Sequence, residues 1–86
     1  MKPICKINSD GDKIWYLNNL FHREDGPAYE WADGTKFWYL NGELHREDGP
    51  AIEYPNGSKY WYYKNNRIDC KDNQEFLRMI KLKMFL

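Results

Sequence analysis

Residues 10–32 and 33–55 are two gapless copies of one 23-residue unit, identical at 15 of 23 positions. Self-similarity on this scale constrains a fold more tightly than composition does, because each unit must bury part of its apolar surface against the next copy. A third copy opens at Asn56 as NGSKYWYYKNNRIDCKD. It keeps Gly57, Lys59, Trp61 and Tyr62, reads as carrying one inserted residue, and lacks the HREDGPA run of the first two units. Pro3–Ser9 reads as a loose partial copy leading in. Worn terminal units are expected, since the ends of an array must cap it.

Each unit reads as β structure. The segment Lys36-Phe37-Trp38-Tyr39-Leu40 is short and aromatic, and Ala51-Ile52-Glu53-Tyr54 is a second short strand. A unit that stacks by translation in an antiparallel sheet needs an even number of strands, so two per unit are predicted. They fall at 13–17 and 27–31, 36–40 and 50–54, and 59–63, with a lead-in strand at 4–8. Asp10-Gly11, Asp33-Gly34 and Asn56-Gly57 are read as type I′ hairpin turns along one edge. The longer segments running to His-Arg-Glu-Asp-Gly then lie along the other edge, with room for a brief extended stretch at Leu44-His45.

Alternation assigns the faces. Trp15, Trp38 and Trp61 share one face with Leu17, Leu40 and Tyr63. Ile14, Phe37 and Tyr60 share the other with Tyr16, Tyr39 and Tyr62. A single sheet cannot hide both faces, and the tail offers a cover. Asp72 is placed to cap a helix, with Glu75 reaching back three residues later. The pattern predicts a helix over Gln74–Phe85, about 18 Å long, with Phe76, Leu77, Ile80 and Met84 on one apolar arc. The expected fold is mostly β with one C-terminal α-helix, an antiparallel β-meander of tandem hairpin repeats. It forms one domain over 1–86: lead-in strand 3–9, repeats 10–32 and 33–55, degenerate repeat 56–71 and capping helix 72–86.

Composition narrows function. With 86 residues and formal net charge zero, the chain lacks the basic excess of a nucleic-acid binder. Five Lys/Arg against three Asp/Glu over 67–86 read as a solvated helix face, with Lys81 and Lys83 suited to the helix dipole. Aromatic residues make up 17% of the chain, enough ring area to hold a small core. The two cysteines, Cys5 and Cys70, do not make a disulfide framework. No apolar run reaches the length of a membrane span, and no leader-like stretch follows Met1. The expectation is a reduced protein of the cytoplasm.

His22 and His45 recur two strands apart, about 9.5 Å in a sheet. That is too far to chelate one ion or share a proton relay, so no metal, cofactor or catalytic residue is expected. Arg23-Glu24-Asp25 and Arg46-Glu47-Asp48 read first as turn-forming loops whose arginines pair with carboxylates of their own or the next copy. The functional alternative makes His22, Arg23, Glu24, Asp25, His45, Arg46, Glu47 and Asp48 a recognition edge, since loops on a rigid scaffold often bind. The Trp15, Trp38 and Trp61 ladder reads as core under the helix, or as a partner surface if the helix covers the other face.

The 23-residue period, with its glycine before each short strand, resembles MORN-type repeats. The run from Trp38-Tyr39-Leu40-Asn41-Gly42 to His45-Arg46-Glu47-Asp48-Gly49-Pro50-Ala51 is more similar still to a MORN-related group. That group carries repeated His-Arg-Glu-Asp-Gly-Pro-Ala and occurs in bacteriophages, giant viruses and some bacteria. The resemblance covers roughly residues 10–63 and implies a scaffolding or binding array without catalysis. The leading expectation is therefore a non-catalytic protein-binding module, one form being a small phage accessory protein that inhibits a host defence protein in the host cytoplasm. A self-assembling homo-oligomeric scaffold and a small-ligand or nucleotide-sequestering protein stand as alternatives.

Overall fold

The structure, a computed structural model, describes residues 2–82. Its strands are β1 (Ile4–Ile7), β2 (Lys13–Leu17), β3 (Leu20–Phe21), β4 (Tyr29–Glu30), β5 (Lys36–Phe37), β6 (Tyr39–Leu40), β7 (Glu43–Leu44), β8 (Ile52–Glu53), β9 (Lys59–Tyr63) and β10 (Asn66–Ile68). One helix, α1 (Asn73–Lys81), follows. Across the sheet the order is β1-β2-β4-β5-β8-β9-β10, antiparallel throughout. The result is a thin slab of 41 × 32 × 17 Å.

The meander is as expected, but the second strand of each unit is broken in two. β2 pairs with β4 through Lys13↔Glu30 and Ile14↔Tyr29, and on the same flank with β3 through Tyr16↔Phe21 and Leu17↔Leu20. Between them, the Trp15 N–H donates to Ala28 O at 2.8 Å, and Trp15 O accepts from the His22 N–H at 3.0 Å. Residues 20–22 and 28–30 are thus halves of one lane, and 23–27 leaves the sheet between them. The second unit repeats this: β6 pairs with β7, β5 with β8, and Trp38 bonds His45 and Ala51 at 3.1 and 2.8 Å. The half-lane β3 was not predicted and β7 was anticipated only as a brief extended stretch at Leu44-His45, because two residues before a polar run give no alternation to read.

The type I′ turns also lie on the other edge. Asn18-Asn19, Asn41-Gly42 and Lys64-Asn65 all take positive φ, between 47° and 80°, and close the tight hairpins β2-β3, β6-β7 and β9-β10. At the Asp-Gly and Asn-Gly positions only the glycine is left-handed, with Gly34 at φ 100°. There the Gly34 N–H donates to Trp31 O and the Trp31 N–H to Thr35 O. That is a three-residue loop with the bulge geometry that glycine favours.

The third copy needs no insertion. Tyr62↔Arg67 and Ile68↔Trp61 fall in the same frame as Tyr39↔Leu44 and the His45–Trp38 bond. Ile68 therefore stands where the first two units place His22 and His45.

The helix starts as predicted. The side chain of Asp72 accepts from the Glu75 N–H at 2.9 Å, while Glu75 Oε1 reaches back one residue further than expected, to the Lys71 N–H at 3.2 Å. Its buried side differs from the expected arc. Trp61 Nε1 donates to Asn73 Oδ1 at 2.8 Å, which turns Asn73, Phe76 and Ile80 toward the sheet. Phe76 is completely buried with Trp61 and Ile68, while Leu77 is 41% exposed; Met84 lies outside the described residues. The helix takes the tryptophan face, the first of the two arrangements weighed, at the end of the ladder: Phe76 clusters with Trp61 and Ile68, with Tyr63, Cys70, Met79 and Ile80 packed against them. Trp15 and Trp38 are covered by something else.

The opposite face lies away from the helix, and its rings are half-buried apart from the exposed Tyr54. Tyr16, Phe21, Tyr29, Trp31, Phe37, Tyr39, Tyr54 and Tyr60 form an unbroken chain of ring contacts, with centroids 3.9–6.2 Å apart. Partial burial raises the phenol pKa values of Tyr29 and Tyr39, with Asp12 adding to the first and Tyr62 to the second.

The cysteines sit at opposite edges of the sheet, Cys5 exposed in β1 and Cys70 half-buried beyond β10, both as free thiols. Burial, then the Glu75, Asp72 and Asp69 carboxylates, push the Cys70 thiol up to about 11. At pH 8 iodoacetamide is expected to label Cys5 first and Cys70 on the order of a hundredfold more slowly than a free thiol; equal rates by mass spectrometry would refute this. Because the folded pKa is raised, the neutral thiol's contribution to stability is complete below about pH 9 and is lost as pH rises toward 11.

Candidate functional site

The first two units share the run His-Arg-Glu-Asp-Gly-Pro-Ala, and each of its residues has a place in a clasp. Arg23 lies over the Trp15 ring and Arg46 over the Trp38 ring, each with its guanidinium carbon 3.9 Å from the ring centroid. Arg46 Nε donates to Asp48 Oδ1 at 2.9 Å, and its Nη1 donates to Pro50 O at 3.0 Å and Glu53 Oε2 at 3.1 Å. Arg23 makes the same three bonds to Asp25, Pro27 and Glu30 at 3.0, 3.2 and 3.2 Å. Arg pairing within its own loop was one of the two expected arrangements. The partners Glu30 and Glu53 were missed, although both copies carry Glu at that position.

Glycine makes room for the clasp. A Cβ on Gly49 would lie 2.9 Å from Arg46 Cζ, and one on Gly26 2.8 Å from Arg23 Cζ. Ala28 and Ala51 are fully buried on the tryptophan face, between neighbouring tryptophan lanes, where a larger side chain would displace the rings. On that same face Lys13↔Glu30↔Lys36↔Glu53↔Lys59 form a row of alternating charge across the sheet, each opposite pair contributing roughly 0.2–1 kcal/mol.

The buried histidines join one unit to the next. His22 Nδ1 accepts from the Asn41 N–H at 2.9 Å, and His45 Nδ1 from the Lys64 N–H at 2.8 Å. An accepting Nδ1 fixes the neutral ring with its proton on Nε2, which lies 3.2 Å from Glu24 in one loop and 3.0 Å from Glu47 in the other. The third unit is followed directly by α1 in place of another hairpin, and its Ile68 packs under the helix instead. Replacing His45 with isoleucine keeps apolar volume but removes the acceptor. It is expected to lower the unfolding free energy by about 1–3 kcal/mol; a loss under about 0.5 kcal/mol in urea titration would show that the brace carries no stability.

Between the two clasps lies a groove of about 630 Å³. Arg23, Glu24, Asp25, Gly26 and Pro27 form one wall, His45, Arg46, Glu47 and Asp48 the other, and Trp38 and Leu40 complete the lining. The structure thus brings the two predicted loops together around Trp38. It separates Trp15 from this groove and buries Trp61 beneath the helix. Among the described residues no three His, Cys, Asp or Glu side chains gather closely enough to hold a metal ion, and no helix is long and apolar enough to cross a membrane. Compared with protein-family models, curated proteins and solved structures, the chain matches none.

Proposed function

We propose that this chain is a non-catalytic protein-binding module that meets its partner on the loop edge of the sheet. The observation that carries the reading is the groove between two loops that are each held by a stacked, triply bonded arginine. Loops held this firmly are pre-organised, so binding costs little ordering entropy. The side chains that could do chemistry, His22, His45, Arg23 and Arg46, are engaged in bonds within the fold. The resemblance to MORN-related repeats, generally scaffolding or binding surfaces, points the same way, and a host defence protein is one partner that fits it.

The test compares the immobilised chain with the variant E24Q/D25N/E47Q/D48N, whose amides still accept the clasp bonds. A partner retained at 1:1 stoichiometry by the native chain and lost by an equally stable variant is the expected result. Retention unchanged by the variant would move the surface off this edge.

A second reading has its own observation. The half-buried aromatic face and the outer edge of β1, unpaired among the described residues and with Ile4 and Ile7 about two-thirds exposed, suit a homo-oligomeric scaffold. Light scattering over a hundredfold concentration range decides it, because a constant monomer mass would exclude self-assembly.

A further inference from the structure

The groove's unbalanced charge says what kind of side chain it would take. Resting on the protein-binding reading, we infer that the groove between the clasps is a slot for a lysine or arginine side chain presented by a partner's basic segment.

The two loops contribute two arginines against four carboxylates. Both arginines are turned inward: they stack on Trp15 and Trp38 and are only 22–23% exposed. The four carboxylates, Glu24, Asp25, Glu47 and Asp48, are 67–87% exposed. Each has one oxygen engaged inside its own loop, and a carboxylate accepts with both. The field leaving the groove is therefore negative at its rim, above the apolar surfaces of Trp38 and Leu40.

A lysine or arginine side chain has the matching layout, an apolar stem ending in a cation. The stem covers Trp38 and Leu40 while the head meets carboxylates from both loops. An acidic side chain would meet like charge at every rim position. A purely apolar one would leave the rim unused.

The test uses acetylated, amidated hexalysine as the probe, hexaglutamate as its control, and ¹H–¹⁵N spectra as the readout. Hexalysine is expected to shift the Trp38 indole N–H and the Gly26 and Gly49 amides saturably. Its affinity should weaken as salt screens the rim. In E24Q/D25N/E47Q/D48N its Kd should rise at least about tenfold. No response to hexalysine, an equal response to hexaglutamate, shifts confined to the aromatic face, or unchanged Kd in the variant would each overturn the inference. A partner that the native chain retains and the amide variant loses would in that event leave the protein-binding reading intact, with a different chemistry in the groove.

Discussion

Truncating Phe76 to alanine is expected to lower the unfolding free energy by about 3–5 kcal/mol, the cost of emptying a buried aromatic site. Domains of this kind hold about 0.05–0.15 kcal/mol per residue, so the loss threatens the whole fold. The reason is local. Phe76 is the largest completely buried side chain among the described residues and clusters with Trp61 and Ile68 beneath α1. In the third unit the aligned copy of the clasp arginine is Asp69, which cannot stack on that tryptophan as Arg23 and Arg46 stack on theirs. Urea unfolding followed by tryptophan fluorescence measures the effect. A loss below about 1 kcal/mol would mean that the helix is an ornament on a sheet that holds without it. Leu77, exposed on the same helix, provides the control: Leu77→Ala should change stability by less than about 0.5 kcal/mol.

Replacing Arg46 with alanine should cost about 2–4 kcal/mol. It removes the stacking on Trp38, worth roughly 1–2 kcal/mol in a part-buried setting, together with charge-assisted bonds to Asp48, Glu53 and the Pro50 carbonyl. Arg46→Lys is the informative companion. Lysine keeps the charge but has neither a planar face nor a fork, so it should recover less than half of the loss. Full recovery would mean that charge alone, rather than the clasp geometry, holds the loop. Gly49→Ala should reproduce part of the damage without touching the arginine, because the added methyl occupies the guanidinium's place. The same variants bear on binding. A loop released from Trp38 no longer forms a wall of the groove, so a partner that reads that wall should be lost along with the stability.

Much of this architecture is readable from local pattern. The duplicated 23-residue unit, the alternation Ile14-Trp15-Tyr16-Leu17, and the Asp72 cap before an apolar arc depend on neighbours within a few residues, where period and turn chemistry act. They are enough to place the long strands, the two unlike faces and the helix start. The type I′ turns at Asn18-Asn19 and Lys64-Asn65 were harder to read, since neither pair contains the glycine that usually marks such a turn. Residue type also offered arginine pairing inside its own loop as one of two arrangements, and that is the one the bonds to Asp25 and Asp48 realise.

What could not be read was the division of labour among three similar tryptophans. Trp15, Trp38 and Trp61 occupy equivalent positions, so the pattern assigns them one fate beneath one helix. Their covers come from different places: Arg23 and Arg46 from their own loops, Phe76 and Asn73 from the end of the chain. Likewise His22 and His45 read as part of a loop edge until the turn that each one braces, 19 residues further on, is brought beside it. Short-range pattern specified the repeated lanes and their inward and outward sides, because a strand's alternation and a turn's φ are local properties. The clasp, the groove and the half-buried aromatic face came only with three-dimensional assembly, because each depends on which distant side chain reaches a surface first.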